Sequence, residues 1–547
     1  MAFGLLDSKS KTTEKQVENG TPGVDADEEL LRQLGYEQDL SRSINAFSNF
    51  AIAFSCCSVL SGLTPMWGDA MNDSGSLGVI WGWLITGTFT MMVAMSLAEI
   101  CSAYPTTGGL YFWTSRLAPG PYMPLACWLT GWFNWIGLCF GITSVDLGLA
   151  QFIAGVINVW QPEVDTSVYM QYGIYVGIIV VHGILNSIAV KFNGFINQFA
   201  FFVNMAGILF IVIVGLAITR PLATGSFVFS EFYNGSGFSS NGYAFLLVIL
   251  QSQYTLSGYD SAAHMAEETK NSQHGSPFGI LTAVAANAFS GFIFLIGISF
   301  MVKDFTAQIT SDSAIQPQMV QVFLDGVGPA WTMVFLIFVM LSIFFCGSSL
   351  VLGSSRMVYA FSRDGAMPLS KYLHSLEPRT NNPVYAVWFN ITVSGIVGIL
   401  YMINSTAYEA IVSVNTIGSQ LSYLVPIVLR ITVARKTFQP GPWNLGRFST
   451  IVGVISSCWL IFTCCLFICP TEAPITPDNM NYAIVPFAFI MILSGGYFAL
   501  FARKWFTGPV RVIDGQEVVL GDDDDSAPKS AAASLKAASI KVDEKKA

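Results

Sequence analysis

Twelve stretches of this chain are apolar for about 20 residues or more, the length an α-helix needs to cross the hydrocarbon of a bilayer. Their approximate limits are 45–68, 77–102, 126–159, 169–190, 195–219, 242–267, 278–302, 329–353, 383–403, 407–430, 449–469 and 482–504. In hydrocarbon the backbone must satisfy its own N–H and C=O groups, so such runs fold as helices. The chain is 53% hydrophobic and 11% charged, against about 25% charged residues in soluble domains. These features predict an all-α integral membrane protein: a polar tail over 1–43, a membrane domain over 44–506 and a second polar tail over 507–547.

Lysine and arginine set the orientation. With the N-terminus inside, the inside connections and span ends carry fourteen basic residues, including Arg116, Lys191, Arg356, Arg363, Arg379, Arg430 and Arg503. The outside ones carry only Arg220 and Lys303. This is a positive-inside bias, and an even span count puts both tails in the cytoplasm. The N-terminal tail has no apolar core, so no cleaved secretory signal is expected. Much of it reads as disordered, with a short surface helix over 27–42. The 354–382 connection starts amphipathic and basic and turns at Asp364-Gly365; a surface helix continuing the eighth span is expected.

The net charge of −9 comes largely from the tails, including Asp522 to Asp525, and says little about partners. There is no basic stripe on a soluble domain, so no nucleic-acid partner is expected. The ten cysteines all fall in or beside apolar segments and read as small buried hydrophobes, not as a disulfide framework or metal site. His182 and His264 lack metal-ligand spacing and read as hydrogen-bonded packing residues. No metal and no organic cofactor is expected.

Two spans are interrupted in the middle. The sixth contains Gln251-Ser252-Gln253-Tyr254-Thr255-Leu256-Ser257-Gly258-Tyr259-Asp260-Ser261, and the first contains Leu60-Ser61-Gly62 followed by Pro65. Unwound backbone at membrane depth is tolerated only in protein or beside a cavity. Paired Gly/Pro-interrupted spans in the two halves of a chain point to a transporter's binding site; alone, each Ser-Gly also suits helix packing. The breaks are expected near Ser58–Gly62 and near Thr255–Asp260, with ordinary membrane helix on either side. Helix N-termini near Gly62-Leu63 and Asp260-Ser261 suit a carboxylate. Helix C-termini near Ser58 and Ser257 suit an ammonium or a cation. Together they would hold a zwitterion.

Other residues carry two readings each. Tyr254, a turn from the break, is either an aromatic gate that can also contact an ammonium or a packing tyrosine. Asp260 either caps the inner half-helix or contacts the substrate amine or a proton. Asp146 in the third span serves coupling or structure. Glu99, Glu267 and Glu268 form inside-gate or surface ion pairs. The third span is overlong, hence tilted or kinked, and Gly131, Gly137, Gly141 and Gly148 would let neighbouring helices approach it.

Three stretches resemble a known family. They are Ala98–Trp113 (Ala98-Glu99-Ile100-Cys101-Ser102-Ala103-Tyr104-Pro105-Thr106-Thr107-Gly108-Gly109-Leu110-Tyr111-Phe112-Trp113), Ser252–Asp260 with Ala263–Thr269 in the sixth span, and Ser355–Pro368. They look like the amino acid/choline transporter group of the amino acid–polyamine–organocation superfamily, nearest to eukaryotic GABA permeases and bidirectional amino-acid transporters. The resemblance spans about 34–509. It implies a leucine-transporter-type fold: two inverted five-helix repeats (about 45–219 and 242–430) plus two further helices over 449–504. It places substrate among the first, third, sixth, eighth and tenth spans, with the Ser61 and Gly62 amides on the carboxylate and Tyr254 as gate. Some bacterial relatives couple protons through a Lys in the fifth span, and this fifth span has no Lys or Arg. Gly347, Ser348 and Ser349 of the eighth span could complete a cation site against first-span carbonyls, so proton and Na⁺ coupling both stay open.

The candidate binding set is therefore Ser58, Ser61, Gly62, Leu63, Tyr254, Thr255, Ser257, Gly258 and Asp260; the candidate coupling set is Asp146, Gly347, Ser348 and Ser349. The function expected is secondary transport of amino acids or GABA by alternating access, in the plasma membrane, with vacuolar, Golgi or mitochondrial membranes as alternatives. A choline or polyamine permease and a non-transporting nutrient sensor are the competing readings. A channel lacks its charge rings or filter run, and an enzyme lacks an acid/base cluster. Membrane lipid is the expected surrounding; the sequence leaves the oligomeric state open.

Overall fold

The structure, a computed structural model, describes residues 26–519 apart from 37, 162, 189–192, 312–313, 404–406, 478 and 514–515. Lys191, the acidic run Asp522–Asp525 and the expected disorder at the two ends lie outside the described residues. The order is α1 (Ala26–Gln33), α2 (Ala46–Cys56), α3 (Val59–Ala103), α4 (Gly109–Leu117), α5 (Met123–Trp160), α6 (Val168–Ile188), α7 (Asn193–Ile218), α8 (Gly225–Ser230) and α9 (Asn241–Thr255). Then follow α10 (Ser261–His264), α11 (Ser272–Met301), α12 (Gln318–Val327), α13 (Pro329–Arg363), α14 (Ser370–Leu373), α15 (Val384–Gly398), α16 (Ala407–Ile431), α17 (Ser449–Leu466) and α18 (Ile484–Leu500). A two-stranded antiparallel hairpin, Val510–Ile513 with Gln516–Val519, follows the bundle.

Among the described residues ten helices are long and apolar enough to cross a membrane. The sixth expected span is not one of them, because it is divided into α9 and α10. The first and second share one continuous stretch, since α3 turns on a single residue, Gly75, at φ 62. That positive φ, and a Tyr233 amide 2.8 Å from where a Cβ would stand, require glycine there.

α5 is one helix of 38 residues, about 57 Å long at 1.5 Å per residue. It is longer than the bilayer core, which is about 30 Å thick. Gly137 and Gly418 bring α5 against α16 backbone to backbone: a Cβ on Gly418 would stand 2.7 Å from the Gly137 nitrogen. α3 packs on α9 and α11, and α13 packs on α5 and α7.

Two expectations about the surface are corrected. The stretch after the eighth span is not a surface helix. α13 runs to Arg363, and Ser354 to Ser362 are buried, because the basic side chains find acid partners inside the bundle. The cysteines are all free, but Cys458 and Cys465 are exposed on α17; with lipid as the solvent, a small apolar residue gains little from facing inward.

Candidate functional site

Both interrupted spans are broken, and the breaks meet. α2 ends at Cys56 and α3 begins at Val59. α9 ends at Thr255, and Gly258 sits at φ 91 before α10 starts at Ser261. Only glycine takes that left-handed geometry without strain. A buried cavity of about 20 Å³ lies between the breaks, room for about one water. Cys56, Ser58, Ser61 and Gly62 line it from one side and Tyr254, Thr255, Ser257 and Gly258 from the other. α5 adds Gly141 and Val145, α13 Cys346 and Leu350, and α16 Asn415 and Ser419. A far larger groove of about 860 Å³ between α5, α15 and α18 has an almost wholly apolar lining and offers no polar recognition.

Seven of the nine expected binding residues line this cavity. Leu63 does not; its carbonyl accepts from Gln251 Nε2 at 3.2 Å. Asp260 does not either, and its side chain makes no cap bond, which corrects the cap reading. Its carboxylate accepts from Tyr423 Oη at 2.7 Å and Asn134 Nδ2 at 2.9 Å, with His264 Nε2 at 3.4 Å. Asp260 therefore ties α10 to α5 and α16.

The helix ends also shift. Ser58 caps the outer half-helix instead of ending the inner one. Its carbonyl is occupied by Gly62 N at 3.0 Å and Ser61 Oγ at 2.9 Å. The free amides of a helix start precede its first intrahelical bond, which places them at Val59, Leu60 and Ser61. The carbonyl end lies at Phe54–Cys56, where Cys56 O receives Cys346 Sγ at 3.5 Å. In the sixth span the Ser261 amide bonds Gly258 O at 3.1 Å, and α10 has four residues. The inner half is thus a four-residue turn followed by a 3-10 turn over Ala266–Glu268 rather than the ordinary membrane helix expected.

Gly62 serves close approach: a Cβ there would stand 2.6 Å from Thr255 Oγ1 and 2.7 Å from Thr255 Cα. Tyr254 is buried, and its hydroxyl donates to Ser144 Oγ of α5 at 3.0 Å.

Asn204 of α7 escaped the sequence reading. It donates to Ser58 Oγ and to Ser342 Oγ, each at 2.7 Å, while the two serines are 2.8 Å apart. The break in the first span is thus braced by a neutral amide from the fifth. The usable signal was the buried stripe Asn197, Ala200, Asn204, Gly207, Ile211, Gly215, which follows helical spacing.

In the coupling set, Asp146 Oδ2 lies 3.1 Å from His182 Nδ1, both side chains fully buried. Gly347 packs on the pair: a Cβ there would be 2.1 Å from Asp146 Oδ1. Ser348 and Ser349 are not brought to the first-span carbonyls. Ser348 Oγ receives Asn186 Nδ2 of α6 at 3.2 Å, and Ser349 Oγ donates to Asn197 Oδ1 of α7 at 2.6 Å.

Toward the N-terminal segment the bundle is sealed. Arg356 pairs with Glu268 at 3.0 Å and Arg363 with Glu267 at 3.6 Å, in a buried setting rather than on the surface. Tyr36 lies under the Arg363 guanidinium at 3.9 Å and donates to Asp364 at 3.3 Å. Burial first, and then the Asp364 carboxylate, push its phenol well above the usual range, so it remains a donor. Glu99 meets Arg430 at 3.8 Å on the same side.

The amino acid permease family model matches residues 44–493. The chain is 39% identical over 502 residues to amino-acid permease BAT1 of Arabidopsis thaliana, covering 89% of this chain and 97% of that one. It is 38% identical to the BAT1 homolog of rice, Oryza sativa subsp. japonica, with 90% and 97% covered. It is 30% identical to the GABA-specific permease of Saccharomyces cerevisiae, with 88% and 86% covered. Broken helices meeting at a buried polar cavity, in a chain similar to permeases nearly end to end, lead to one conclusion: this multi-pass membrane protein is a transporter, not an enzyme, and belongs to the amino acid permease family.

Proposed function

We propose that this chain carries amino acids, GABA among them, by alternating access, holding the zwitterion between its two broken helices. The observation that carries the reading is the meeting of the two breaks at one buried cavity. The amides of Val59–Ser61 suit the carboxylate, and the carbonyl end at Phe54–Cys56 suits the ammonium. Tyr254 closes the cavity on the side away from the N-terminal segment. A cavity of about 20 Å³ excludes an amino acid, so this reading makes the conformation a closed one that opens by movement of the broken helices. A quaternary ammonium would lean on Tyr254 and Tyr259, but Tyr259 packs on Tyr423 at 5.3 Å and leaves the cavity lining to Tyr254. That favours the zwitterion over choline.

The fold belonging to this reading has twelve spans, with inverted repeats over about 45–219 and 242–430 and two further helices over 449–504. Both tails face the cytoplasm, and the plasma membrane is the host. Ser362 is buried, so orientation is tested with a single cysteine at Arg379, which is exposed. In sealed right-side-out cells it is expected to resist an impermeant thiol reagent; labelling before permeabilisation overturns the orientation.

The Asp146–His182 pair is the coupling site of this reading, and its ion is the proton. A lone charge at membrane depth is costly, whereas this pair can take up or release one proton between two partners. Titratable groups within electrostatic reach of Asp146 include Tyr175 of α6, Tyr254 of α9 and Cys346 of α13.

One vesicle experiment tests transport, gate and coupling. Purified protein in proteoliposomes is expected to show counterflow, faster entry of labelled alanine or GABA when unlabelled substrate is inside. Tyr254→Ala loses exchange while binding persists, and Tyr254→Phe keeps most of it. Asp146→Asn and His182→Gln keep exchange and lose accumulation driven by a pH gradient. Absence of counterflow with every amino acid overturns transport. Accumulation by the two coupling variants at the wild-type level overturns the pair's role.

A further inference from the structure

A second cavity, of about 220 Å³, lies beside the seal toward the N-terminal segment. One water needs about 10–15 Å³ of such space, so this one admits a molecule the size of alanine or GABA. Ser48 of α2, Asn193 and Gln198 of α7, Glu268 after α10 and Arg356 of α13 give it a polar lining.

The two cavities sit at opposite ends of α2. Cys56, its last residue, lines the one between the breaks, and Ile44, just before its first, lines the other. Eleven residues of helix separate them, about 16 Å at 1.5 Å per residue. α13 follows the same course, from Cys346 and Leu350 at one cavity to Leu352 and Arg356 at the other. Ile44, Ile52, Met265 and Leu352 form a small apolar cluster apart from the main core. Three of them line the inner cavity, and Ile52 stands one turn from Cys56, which places the cluster between the two spaces.

The inner cavity holds the makings of a zwitterion site. Arg356 Nη1 is fixed from behind by Ser355 Oγ at 3.2 Å and Asn382 Oδ1 at 3.1 Å, and its Nε faces Glu268 at 3.0 Å. Parting a buried pair leaves two uncompensated charges. A zwitterion removes that cost: its carboxylate takes Arg356 and its ammonium takes Glu268, at unchanged net charge. An independent feature points to a ligand. Asn193 lines the same cavity, and its Nδ2 is buried without a hydrogen-bond partner. A buried donor left unsatisfied is costly, and a carboxylate oxygen in the cavity would satisfy it.

We propose that this inner cavity is a second zwitterion site, a release station that the substrate occupies by inserting itself between Arg356 and Glu268. The proposal rests on the transporter reading above and adds the way the seal parts: for a ligand carrying both charges, and not for an ion of one sign.

The test counts labelled alanine bound at equilibrium to the purified protein. The wild type is expected to hold two molecules per chain at saturation, one tightly and one weakly. Gly62→Val, which spoils the site between the breaks, is expected to keep the weak one. Adding Arg356→Met and Glu268→Leu removes that one too. In Gly62→Val, propionate and ethylamine are expected to compete more than about tenfold less well than alanine, since either leaves half of the pair bare. Asn193→Leu weakens the residual site about fivefold, the loss of one hydrogen bond. Absence of residual binding in Gly62→Val overturns the proposal. So does residual binding that survives the Arg356 and Glu268 replacements, or that propionate or ethylamine displaces as well as alanine does. Should Gly62→Val fail to assemble, the wild type is compared with Arg356→Met, Glu268→Leu: a fall from two molecules to one is expected, and an equal count, the result if the pair is only a structural seal, overturns the site. Loss of counterflow with every amino acid would strike the transporter reading instead, whereas a single bound alanine in protein that shows counterflow strikes this proposal alone.

Discussion

Gly62→Val is expected to reduce substrate exchange to background while the protein still inserts and purifies as a single species. The added Cβ would stand 2.6 Å from Thr255 Oγ1, 2.7 Å from Thr255 Cα and 2.8 Å from Thr255 Cβ. Real Cβ atoms do not approach backbone that closely, so α3 and α9 must separate exactly where the cavity forms. Overpacking of this kind costs about 1–3 kcal/mol, too little to unfold a large bundle and enough to remove a closed state. Gly258→Val attacks from the other break by a different route. Its φ of 91 is a conformation an L side chain rarely adopts, and a β-branched residue is worst suited to it. Counterflow together with equilibrium binding of labelled substrate makes the check. Exchange by Gly62→Val at the wild-type rate would show that the two breaks need not touch during the cycle. Gly62→Ala is expected to fall between, because the first added carbon already meets Thr255.

Arg356→Ala is the second large effect. The guanidinium is 1% exposed, pairs with Glu268 at 3.0 Å and reaches Asn382 Oδ1 at 3.1 Å. Removing one partner of a buried pair leaves an uncompensated charge, at a cost of about 3–5 kcal/mol. That cost falls on the conformation sealed toward the N-terminal segment, so the equilibrium shifts to the one open on that side. Such a shift amounts to a population change of roughly two to four orders of magnitude. Exchange is expected to fall at least tenfold, and a cysteine replacing Ser61 becomes reactive from that face. The double variant Arg356→Met, Glu268→Leu removes both charges and is expected to recover much of the sealed state, as apolar replacements of buried pairs do. Unaltered thiol reactivity in Arg356→Ala would mean that the pair is not the seal.

The two predictions draw on different depths of information. Gly62 and Gly258 stood out in the sequence, because Ser-Gly in the middle of an apolar run is conspicuous. What they touch did not. The expected half-helix ends were displaced by three residues at Ser58, since one hydrogen bond, Gly62 N to Ser58 O at 3.0 Å, decides which side of the break Ser58 joins. Asp260 looked like a cap by position, yet its carboxylate turns to Tyr423 and Asn134, residues on helices distant in the chain. Arg356 read as a surface charge, because amphipathic basic sequence after a span has two ways to satisfy its charge, water or a buried acid. Glu268 lies far away in sequence and close in space.

Lipid is a uniform solvent along a span, so hydropathy, a property summed over neighbours in sequence, was enough to place most of the membrane helices. Rotation and tilt of each helix are another matter. These spans are apolar on nearly every face, and helix association in a bilayer lacks the hydrophobic driving force that leaves a stripe in soluble proteins. Whether Asn204 met the first-span break, whether Asp146 met His182, and whether Ser348 faced the breaks or α6 depended on close packing between helices and on hydrogen bonds across them. Those contacts join residues from separate spans, and only the tertiary structure decided them.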